Sequence, residues 1–451
     1  MTEPANLRTA AREIFETSLS SADPAQALRN AVHLNGSLLT VRDTVITLDS
    51  QVSRIYSIAV GKAAPTMAAA LSDILGNRLT AGVISGPAIS QLQDLSFVLE
   101  RWQFFKGGHP LPNSESLNAA KASFDLLKRA DQERALVLFL ISGGGSAMLE
   151  WPIHDEITLE DLRRANQLLV SCGASIAEIN AVRRAVSAVK GGRLAAQAPN
   201  SEKITLIISD TNAGDEASVA SGPTIAAPAN APQARAVVAN YPTLANLPSS
   251  ILQTLNHSVP HTGGQSEKPP SRHYVLLDNH RALEAAAVAA GQHGFVTEIA
   301  LNVVEAGIEE GCRLLLSRLE ILRSQNARIQ RPVCLISGGE FLCPVRANGV
   351  GGRNAETVLR WAIEIDRQRK VSGARQIVVL SAGTDGIDGN SPAAGAVADD
   401  STLERARSQS LDAQGFLETS DAFSFFDKLG DAIVTGATGT NVRDVRILLA
   451  H

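Results

Sequence analysis

Aromatic residues are scarce in this sequence: Phe, Trp and Tyr together make up 4% of its 451 residues. A hydrophobic core must therefore be built from Ala, Val, Leu and Ile, which account for most of the 44% hydrophobic share. That share argues against a disordered or fibrous chain. At roughly 100–200 residues per domain, the length is best explained by two large domains.

An excess of basic charge is also lacking, since 41 Lys and Arg face 46 Asp and Glu and the formal net charge is −5. No basic run of the kind that neutralises a phosphate backbone is present, so we expect neither nucleic acid nor an anionic membrane as a partner. The apolar run Ala135 to Ile141 has seven residues, far fewer than the ~20 that span a bilayer. The first residues lack a basic segment followed by an apolar one, so we expect a cytoplasmic protein.

Cysteine is rare, with four residues at positions 172, 312, 334 and 343. None forms a Cys-x-x-Cys pair and no His cluster lies beside them, which argues against a zinc site and a disulfide framework. We predict reduced and mostly buried thiols.

Several common catalytic motifs are missing. The best candidate for a dinucleotide fingerprint, which begins at Gly349, has Asn354 where the third glycine should stand. Lys62 is followed by Ala63 and therefore does not belong to a Walker A loop. No G-x-S-x-G elbow and no H-E-x-x-H helix appear, which removes the commonest hydrolase templates.

Short apolar runs that stop at Ser, Thr, Gly or Asp recur along the chain and alternate with Ala/Leu-rich segments, a pattern that is typical of βαβ units. Ligands bind at the carboxyl ends of such strands. The segment Ser258 to His273 is rich in Pro, Gly and charge and predicts an inter-domain linker, so we place the domains at 1–255 and 256–451. The predicted strands are Ile55–Val60, Val83–Ile84, Ala135–Ile141, Ile204–Ile208, Tyr274–Leu277, Val333–Ile336, Ile377–Leu380 and Ala432–Val434.

A glycine-rich turn follows the strand at 135–141. Its residues Ser142, Gly143, Gly144, Gly145 and Ser146 lead into a predicted helix, so that backbone N–H groups and the helix dipole can converge on a phosphate. The alternative is a tight turn without a ligand.

A longer helix is predicted over Asn180 to Ala196. Its outward face would carry Arg183, Ser187 and Lys190, and Gly191-Gly192 would end it as a C-terminal cap. This basic face is either a solvated surface or a second contact for phosphates.

Charged residues stand at other strand ends and Gly turns. Lys62 follows Gly61, and Arg353 with Asn354 follows a Gly turn that suits a bidentate clamp. Carboxylates in these positions suit Mg²⁺, although each could instead cap a helix or form an Asx turn, and for Asp388 that role is equally expected. Such a set without a dedicated nucleophile is typical of phosphoryl transfer. The carboxylates are Asp210, Asp215, Glu340, Asp385 and Asp388.

Ordered motifs along nearly the whole chain resemble one known family, the glycerate 2-kinases whose C-terminal half is the MOFRL domain and whose members are sometimes labelled hydroxypyruvate reductase. The matching segments are VGKAAPTM (60–67), GHPLPN (108–113), LISGGGSAMLEWP (140–152), EINAVRRAVSAVKGGRLA (178–195), SDTNAGDEASVASGPT (209–224), ISGGEF (336–341), GVGGRNAE (349–356), AGTDGIDG (382–389) and TGATGTNVRD (435–444).

The resemblance implies two α/β/α domains with largely parallel sheets and an active-site cleft between them, a Rossmann-like domain at 1–255 and a MOFRL-type domain at 256–451. It further implies ATP-dependent phosphorylation of D-glycerate at the 2-hydroxyl, giving 2-phosphoglycerate and ADP. Lys62 and Arg353 match the principal charged pair of the family, and Asp385 lies in its acidic loop. SDTNAGDE is one residue longer than the usual segment, which leaves open whether Asp210 or Asp215 is the metal ligand.

These observations lead to a mechanistic hypothesis in which the glycine-rich turn, together with Lys190 and Gly191, holds the ATP phosphates. Mg²⁺ would bridge them to Asp210 or Asp215. Lys62 and Arg353 would neutralise the transferring group and the glycerate carboxylate, with Asn354 and Glu340 lining the substrate. Asp385 is the candidate for orienting or deprotonating the hydroxyl, and Glu340 is the second choice. We expect a monomer or a homodimer.

Two other functions stay open on the sequence. A hydroxypyruvate reductase would transfer a hydride from NAD(P)H, but the dinucleotide fingerprint is absent and His109 is the only candidate catalytic histidine. A non-catalytic protein that binds a sugar acid or a nucleotide would not need phosphate cradles and metal ligands together.

Overall fold

A computed structural model describes residues 4–48, 54–88, 100–257, 271–303, 305–372 and 376–451. The chain forms two compact units. The first unit is Pro24–Leu277, and the second unit combines Met1–Asp23 with Asp278–His451. Among the described helices, none is long and apolar enough to cross a membrane.

This division differs from the boundary predicted at 255/256. Residues 258–270 of the predicted linker lie outside the described residues, and the chain that follows them is still a strand of the first unit. The chain start belongs to the second unit because helix α1 (Pro4–Ser21) packs there. Arg8 of α1 forms ion pairs with Asp399 and Asp431. Such contacts between distant residues leave no local pattern in the sequence.

The first unit contains a six-stranded parallel sheet and a separate three-stranded antiparallel sheet. The parallel sheet has the order β6-β5-β4-β7-β8-β9, and the antiparallel sheet has the order β1-β2-β3. The strands are β1 Val32–Asn35, β2 Leu38–Val41, β3 Thr44–Thr47, β4 Ile55–Val60, β5 Leu79–Gly86, β6 Trp102–Lys106, β7 Leu136–Ser142, β8 Lys203–Ile208 and β9 Ser271–Leu277. The helices are α2 Pro24–Ala31, α3 Ala64–Leu75, α4 Ser114–Gln132, α5 Gly145–Met148, α6 Leu159–Ser171, α7 Ile176–Ala185, α8 Ala234–Asn240 and α9 Ser249–His257, with 3₁₀ turns at Gly76–Arg78, Ala195–Gln197, Glu216–Ser221 and Pro242–Asn246.

The central strands β4, β7 and β8 are buried along their whole length. Helices and turns pack on this sheet, so continuous apolar runs rather than alternating ones form these strands. Helices α6 and α7 both begin with a reciprocal capping box that their sequences encode, Thr158 with Asp161 in α6 and Ser175 with Glu178 in α7.

The second unit has a mixed sheet of order β10-β11-β15-β12-β13-β14. Only β10 and β11 pair in parallel, whereas β15 runs antiparallel to both β11 and β12. Its strands are β10 Val296–Ala300, β11 Val333–Gly339, β12 Ile377–Gly383, β13 Gly395–Asp399, β14 Ala432–Ile433 and β15 Asp444–Ala450. Its helices besides α1 are α10 Asn279–Gln292, α11 Ile308–Asn326, α12 Arg353–Ser372, α13 Thr402–Ser408, α14 Ala413–Glu418 and α15 Ala422–Leu429, with a 3₁₀ turn at Ala327–Ile329.

The predicted α/β class is confirmed, and each of the eight predicted strand runs overlaps a strand. The largely parallel arrangement holds for the first unit, whereas the second sheet is mixed because β15 and β13 pair antiparallel with their neighbours. All four cysteines are free, as predicted, and Cys312 and Cys334 are buried. Burial raises the pKa of the Cys312 thiol to about 12, so this group stays protonated.

Candidate active site

Hydrogen bonds connect the carboxyl ends of β4 and β7 at the point where the glycine-rich turn of the first unit begins. The N–H of Lys62 donates to the carbonyl of Gly143 at 2.9 Å. The hydroxyl of Ser142 accepts a hydrogen bond from the N–H of Ala63 at 3.0 Å and donates to the carbonyl of Val60 at 3.2 Å. These bonds hold Lys62 at the same sheet edge as the glycines, as expected for neighbouring parallel strands.

Three candidate site side chains lie directly against the glycines of this turn. A Cβ atom on Gly143 would be 2.1 Å from Oδ2 of Asp210. A Cβ atom on Gly144, whose φ is +79°, would be 3.2 Å from both Cγ of Lys62 and Cδ2 of His109. The absence of side chains in the turn therefore lets the aliphatic stem of Lys62, the imidazole of His109 and the carboxylate of Asp210 approach its backbone closely.

The helix that follows the turn is shorter than the sequence suggests, because α5 contains only four residues. A helix of one turn sums few peptide dipoles, so its macrodipole contributes little. Anion binding at this turn would therefore depend on its backbone N–H groups and on the Lys62 and His109 side chains.

The two candidate metal ligands have different surroundings. Asp210 contacts Gly143, whereas Asp215 accepts a 2.8 Å hydrogen bond from the Ser218 hydroxyl within the 3₁₀ turn. In the described parts of the chain, no three His, Cys, Asp or Glu residues are grouped as a metal site. One carboxylate beside a turn predicted to bind phosphates is a donor set that would fit Mg²⁺, which takes its other ligands from phosphates and water.

A second group of charged residues lies in the second unit, where three strands meet. In the sheet register, Asp444 at the start of β15 is opposite both Gly339 at the end of β11 and Gly383 at the end of β12. Because β15 is antiparallel to its neighbours, its amino end and their carboxyl ends share one sheet edge. Asp444 ends the motif TGATGTNVRD, but no sequence pattern marked it as a site residue.

Arg353, the first residue of α12, is held by two carboxylates. Its Nε donates to Asp444 at 2.6 Å and its Nη2 donates to Asp444 at 3.1 Å and forms an ion pair with Glu340 at 2.7 Å. Burial lowers the pKa of the Arg353 guanidinium, but the two carboxylates outweigh burial and raise this pKa above its ordinary value. No described residue accepts a hydrogen bond from Nη1, and 34% of the side chain is exposed.

Asn354 is buried and completes the support of Asp444. Its amide donates to Asp444 at 2.9 Å, and its side-chain oxygen accepts a hydrogen bond from the Ser381 hydroxyl. Both polar ends are thereby engaged, and Asn354 holds Asp444 in place; its role in lining the substrate stays a prediction.

The acidic loop after β12 contains two carboxylates with different environments. Asp385 is half-buried and accepts a hydrogen bond from the N–H of Ile387 at 3.1 Å, as in an Asx turn. Asp388 is buried and accepts hydrogen bonds from the N–H groups of Asn354 and Ala355. The capping interpretation of Asp388 is therefore correct, and the helix start that it caps is the one that carries Arg353.

The chain is similar to known proteins along its full length. Residues 10–256 match the domain of unknown function DUF4147, and residues 333–444 match the MOFRL family. The chain is 31% identical to the D-glycerate 2-kinase of Thermotoga maritima over 99% of both sequences. It is 32% identical to the glycerate kinase of Danio rerio over 98% of both.

A solved structure shows the same fold. The crystal structure of a glycerate kinase from Thermotoga maritima superposes with a TM-score of 0.80 at 28% identity, covering 99% of this chain and 100% of that one. The chain belongs to the glycerate 2-kinase family of the MOFRL type. As a member of this family it is a kinase. The family also contains a putative hydroxypyruvate reductase from Agrobacterium vitis, 33% identical over 98% of this chain and 94% of that sequence.

The prediction of a longer helix with a basic outward face is wrong beyond residue 185. Helix α7 ends at Ala185, and Arg193 donates hydrogen bonds to the carbonyls of Arg184, Ser187 and Lys190, which blocks further helical pairing. Lys190 is buried with 1% of its side chain exposed, and its ammonium pairs with Glu150. Burial lowers the pKa of Lys190, and the Glu150 carboxylate opposes this change. Lys190 therefore does not lie on an outward-facing helix surface.

Gly191 follows this buried lysine in a turn instead of a helix cap. Its φ is +66°, and its N–H donates to the carbonyl of Ser221 at 3.2 Å. The same glycine was predicted to contact the cofactor, a role that stays a prediction.

Replacing Gly143 by Ala should severely reduce kinase activity. The new Cβ would lie 2.1 Å from Asp210 Oδ2, so either the carboxylate or the turn must move, and a displacement of about 1 Å in a phosphoryl-transfer site reduces kcat/KM by about 10². Steady-state kinetics would measure the loss. Gly291→Ala in α10, where no atom lies within 4 Å of the new Cβ, is the control and should keep full activity. Equal activity of both variants would contradict the prediction.

The burial of Asp388 predicts a pH dependence of stability. Burial raises the pKa of this carboxyl to about 6 from 3.8, although the Ala355 and Asn354 N–H groups oppose the change. The folded state therefore holds the proton more tightly than the unfolded state, and the free energy of unfolding should fall by about 2–3 kcal/mol as the pH rises from about 4 to about 6. Urea unfolding across this range would show the fall in the wild type and not in Asp388→Asn. If the free energy of unfolding changed with pH in the same way in both proteins, the prediction would be refuted.

Proposed function

We propose that this kinase transfers the γ-phosphoryl group of ATP to the 2-hydroxyl of D-glycerate, giving 2-phosphoglycerate and ADP. The observation that carries the proposal is the Arg353 guanidinium, which two carboxylates hold in one orientation while its Nη1 donates to no residue that the structure describes. Such a fixed, permanently charged donor suits a small carboxylate or a phosphoryl group. Similarity to the D-glycerate 2-kinase of Thermotoga maritima supports glycerate as the acceptor.

In the second unit, Arg353 would bind the anionic part of the acceptor substrate. Glu340 and Asp444 orient its guanidinium by direct ion pairs. Asp385, which is half-buried at the end of β12, would accept a hydrogen bond from the 2-hydroxyl and take its proton. Glu340 is less suited to that role because its carboxylate is paired with Arg353.

In the first unit, the glycine-rich turn would bind the ATP phosphates through the backbone of Gly143 to Ser146. Lys62, and with it His109, would add donors beside Gly144. Asp210 would hold Mg²⁺, which supplies charge neutralisation on the phosphates; Asp215 is the alternative ligand. Because phosphoryl transfer depends mainly on positioning and electrostatic stabilisation, these groups need no covalent nucleophile. Lys190 is excluded from this phosphate-binding set because its ammonium is buried against Glu150.

A coupled assay tests the position of phosphorylation. The purified protein would be incubated with Mg-ATP and D-glycerate, and enolase would be added without phosphoglycerate mutase. Formation of phosphoenolpyruvate is the expected result, since enolase accepts only the 2-phosphate isomer. ADP without phosphoenolpyruvate would refute phosphorylation at the 2-hydroxyl, and the absence of both products would refute glycerate kinase activity.

The same preparation separates kinase from reductase activity. The reductase label of the Agrobacterium vitis relative makes NADH and hydroxypyruvate the appropriate control substrates. We expect no NADH oxidation with hydroxypyruvate. Oxidation that needs no ATP would instead favour the reductase.

A further inference from the structure

A strained segment packs against the glycine-rich turn of the first unit. Ala220, Ser221 and Gly222 have consecutive φ angles of +51°, +61° and +68°. Side chains make this left-handed region unfavourable, so two non-glycine residues in succession are held there by their surroundings. Backbone strain of this kind is often found where a functional site requires one geometry.

The Ser221 hydroxyl connects the glycine-rich turn to helix α7. It donates to Oδ1 of Asn180 at 2.8 Å and lies 2.8 Å from the hydroxyl oxygen of Ser146. A serine hydroxyl has one proton, and Ser221 uses it on Asn180, so Ser221 accepts from Ser146. The Ser146 proton is thereby engaged inside the protein, and the turn would meet a phosphate through its backbone.

The backbone around Ser221 fixes two further neighbours. The carbonyl of Ser221 accepts the N–H of Gly191 at 3.2 Å, and the carbonyl of Gly222 accepts the N–H of Gly192 at 2.7 Å. On the other side, a Cβ on Gly145 would be 2.8 Å from Cβ of Ala220. The segment 220–222 is therefore fitted between the glycine-rich turn and the turn that contains Gly191.

We propose that Ser221 is a positioning residue that holds Gly145 and Ser146 in the conformation that binds nucleotide phosphates. This inference rests on the proposed function, because it assumes that the turn binds ATP. The strain at Ala220 and Ser221 is retained because the left-handed backbone is what directs the Ser221 hydroxyl toward Ser146 and Asn180 together. Ser221 acts through the turn, by the hydrogen bonds of its hydroxyl to Ser146 and Asn180.

The test compares Ser221→Gly and Ser221→Ala with the wild type. Glycine removes the hydroxyl while tolerating φ of +61°, so a folding defect is not expected, and alanine removes the hydroxyl while keeping the strain. Both variants should raise KM for ATP about 5- to 30-fold, as expected for the loss of a buried hydroxyl with two hydrogen bonds. KM for D-glycerate should stay within about twofold. Ser123→Ala is the matched control, because it also removes a buried hydroxyl, one that donates only to the Ala119 carbonyl in α4; its KM for ATP should not change.

Asn180→Ala provides a second, independent arm. If Asn180 and Ser221 act as one unit, Asn180→Ala combined with Ser221→Gly should raise KM for ATP little more than either change alone. An unchanged KM for ATP in Ser221→Gly, or fully additive effects in the double variant, would overturn the proposal.

Calorimetry with Mg-ADP distinguishes failure of this inference from failure of the proposed function. If the wild type binds Mg-ADP but does not phosphorylate glycerate, the proposed function fails, and weaker binding by Ser221→Gly still supports the positioning role. If the wild type and Ser221→Gly bind Mg-ADP equally, or if neither binds it, the positioning role is refuted.

Discussion

Arg353→Ala should lower kcat/KM for glycerate phosphorylation by about 10²–10⁴, which corresponds to the loss of a positioned electrostatic contact of ~3–5 kcal/mol. The side chain is held by Asp444 and Glu340, so its donor is already oriented before substrate binds. Removal of the guanidinium also leaves the buried Asp444 carboxylate with one cation fewer. Steady-state kinetics with the enolase-coupled assay would measure the effect.

A matched control for this variant lies on the same helix. Arg367 in α12 is 73% exposed and pairs with Glu364 three residues away. Such surface pairs contribute about 0–1 kcal/mol to stability, so Arg367→Ala should keep wild-type kinetics. If Arg353→Ala kept most of the wild-type activity, Arg353 would not belong to the active site, whatever the result for Arg367→Ala.

Lys190→Met should destabilise the first unit by about 3–5 kcal/mol, because it leaves the Glu150 carboxylate buried without its cation. Glu150 has 3% of its side chain exposed and also accepts hydrogen bonds from the Ser187 hydroxyl and the Trp151 N–H. Urea unfolding would measure the loss of stability. Replacing both partners, as in Lys190→Met with Glu150→Leu, should restore part of it because the Glu150 carboxylate is then no longer buried without its ion-pair partner.

An exposed ion pair in the same unit is the control. Arg129 and Glu133 pair on the surface of α4, with 53% and 28% of their side chains exposed, and Arg129→Ala should change the free energy of unfolding by at most about 1 kcal/mol. If Lys190→Met unfolded like the wild type but had a higher KM for ATP, the buried ion pair would not be a stability element. The outward, phosphate-binding role first expected from the sequence would then be the better explanation.

Helix α7 illustrates why the sequence pattern failed for Lys190. The spacing of Val182, Val186 and Val189 continues a helical period past the real end of the helix. Beyond that end, the carbonyls of Ser187 and Lys190 accept hydrogen bonds from Arg193, and Ser187 pairs with Pro152 in a β-bridge. Apolar periodicity reports which residues are buried, and a compact turn can bury the same residues as a helix.

The two groups of site residues were predictable to different degrees. In the first unit, Lys62 and the glycine-rich turn follow short apolar runs that are typical of buried parallel strands, and neighbouring parallel strands bring their carboxyl ends together. In the second unit, Arg353 and Glu340 were predicted, but Asp444 was not. Its strand, β15, contains alternating polar residues at its start and enters the sheet antiparallel between β11 and β12. The position of the Asp444 carboxylate, opposite the glycines that end β11 and β12, follows only from the pairing register of β15 with these two strands.

The α/β class, the predicted strand runs, the glycine-rich turn and the family follow from the amino-acid sequence, because each depends on local runs of residue types and their order. The tertiary structure decided which carboxylate meets which cation, that Lys190 is buried, that Ser221 joins two elements, and that the first 23 residues belong with the C-terminal part of the chain. These features arise from contacts between residues far apart in the chain. Their free energies depend on burial and distance, which local residue patterns do not contain.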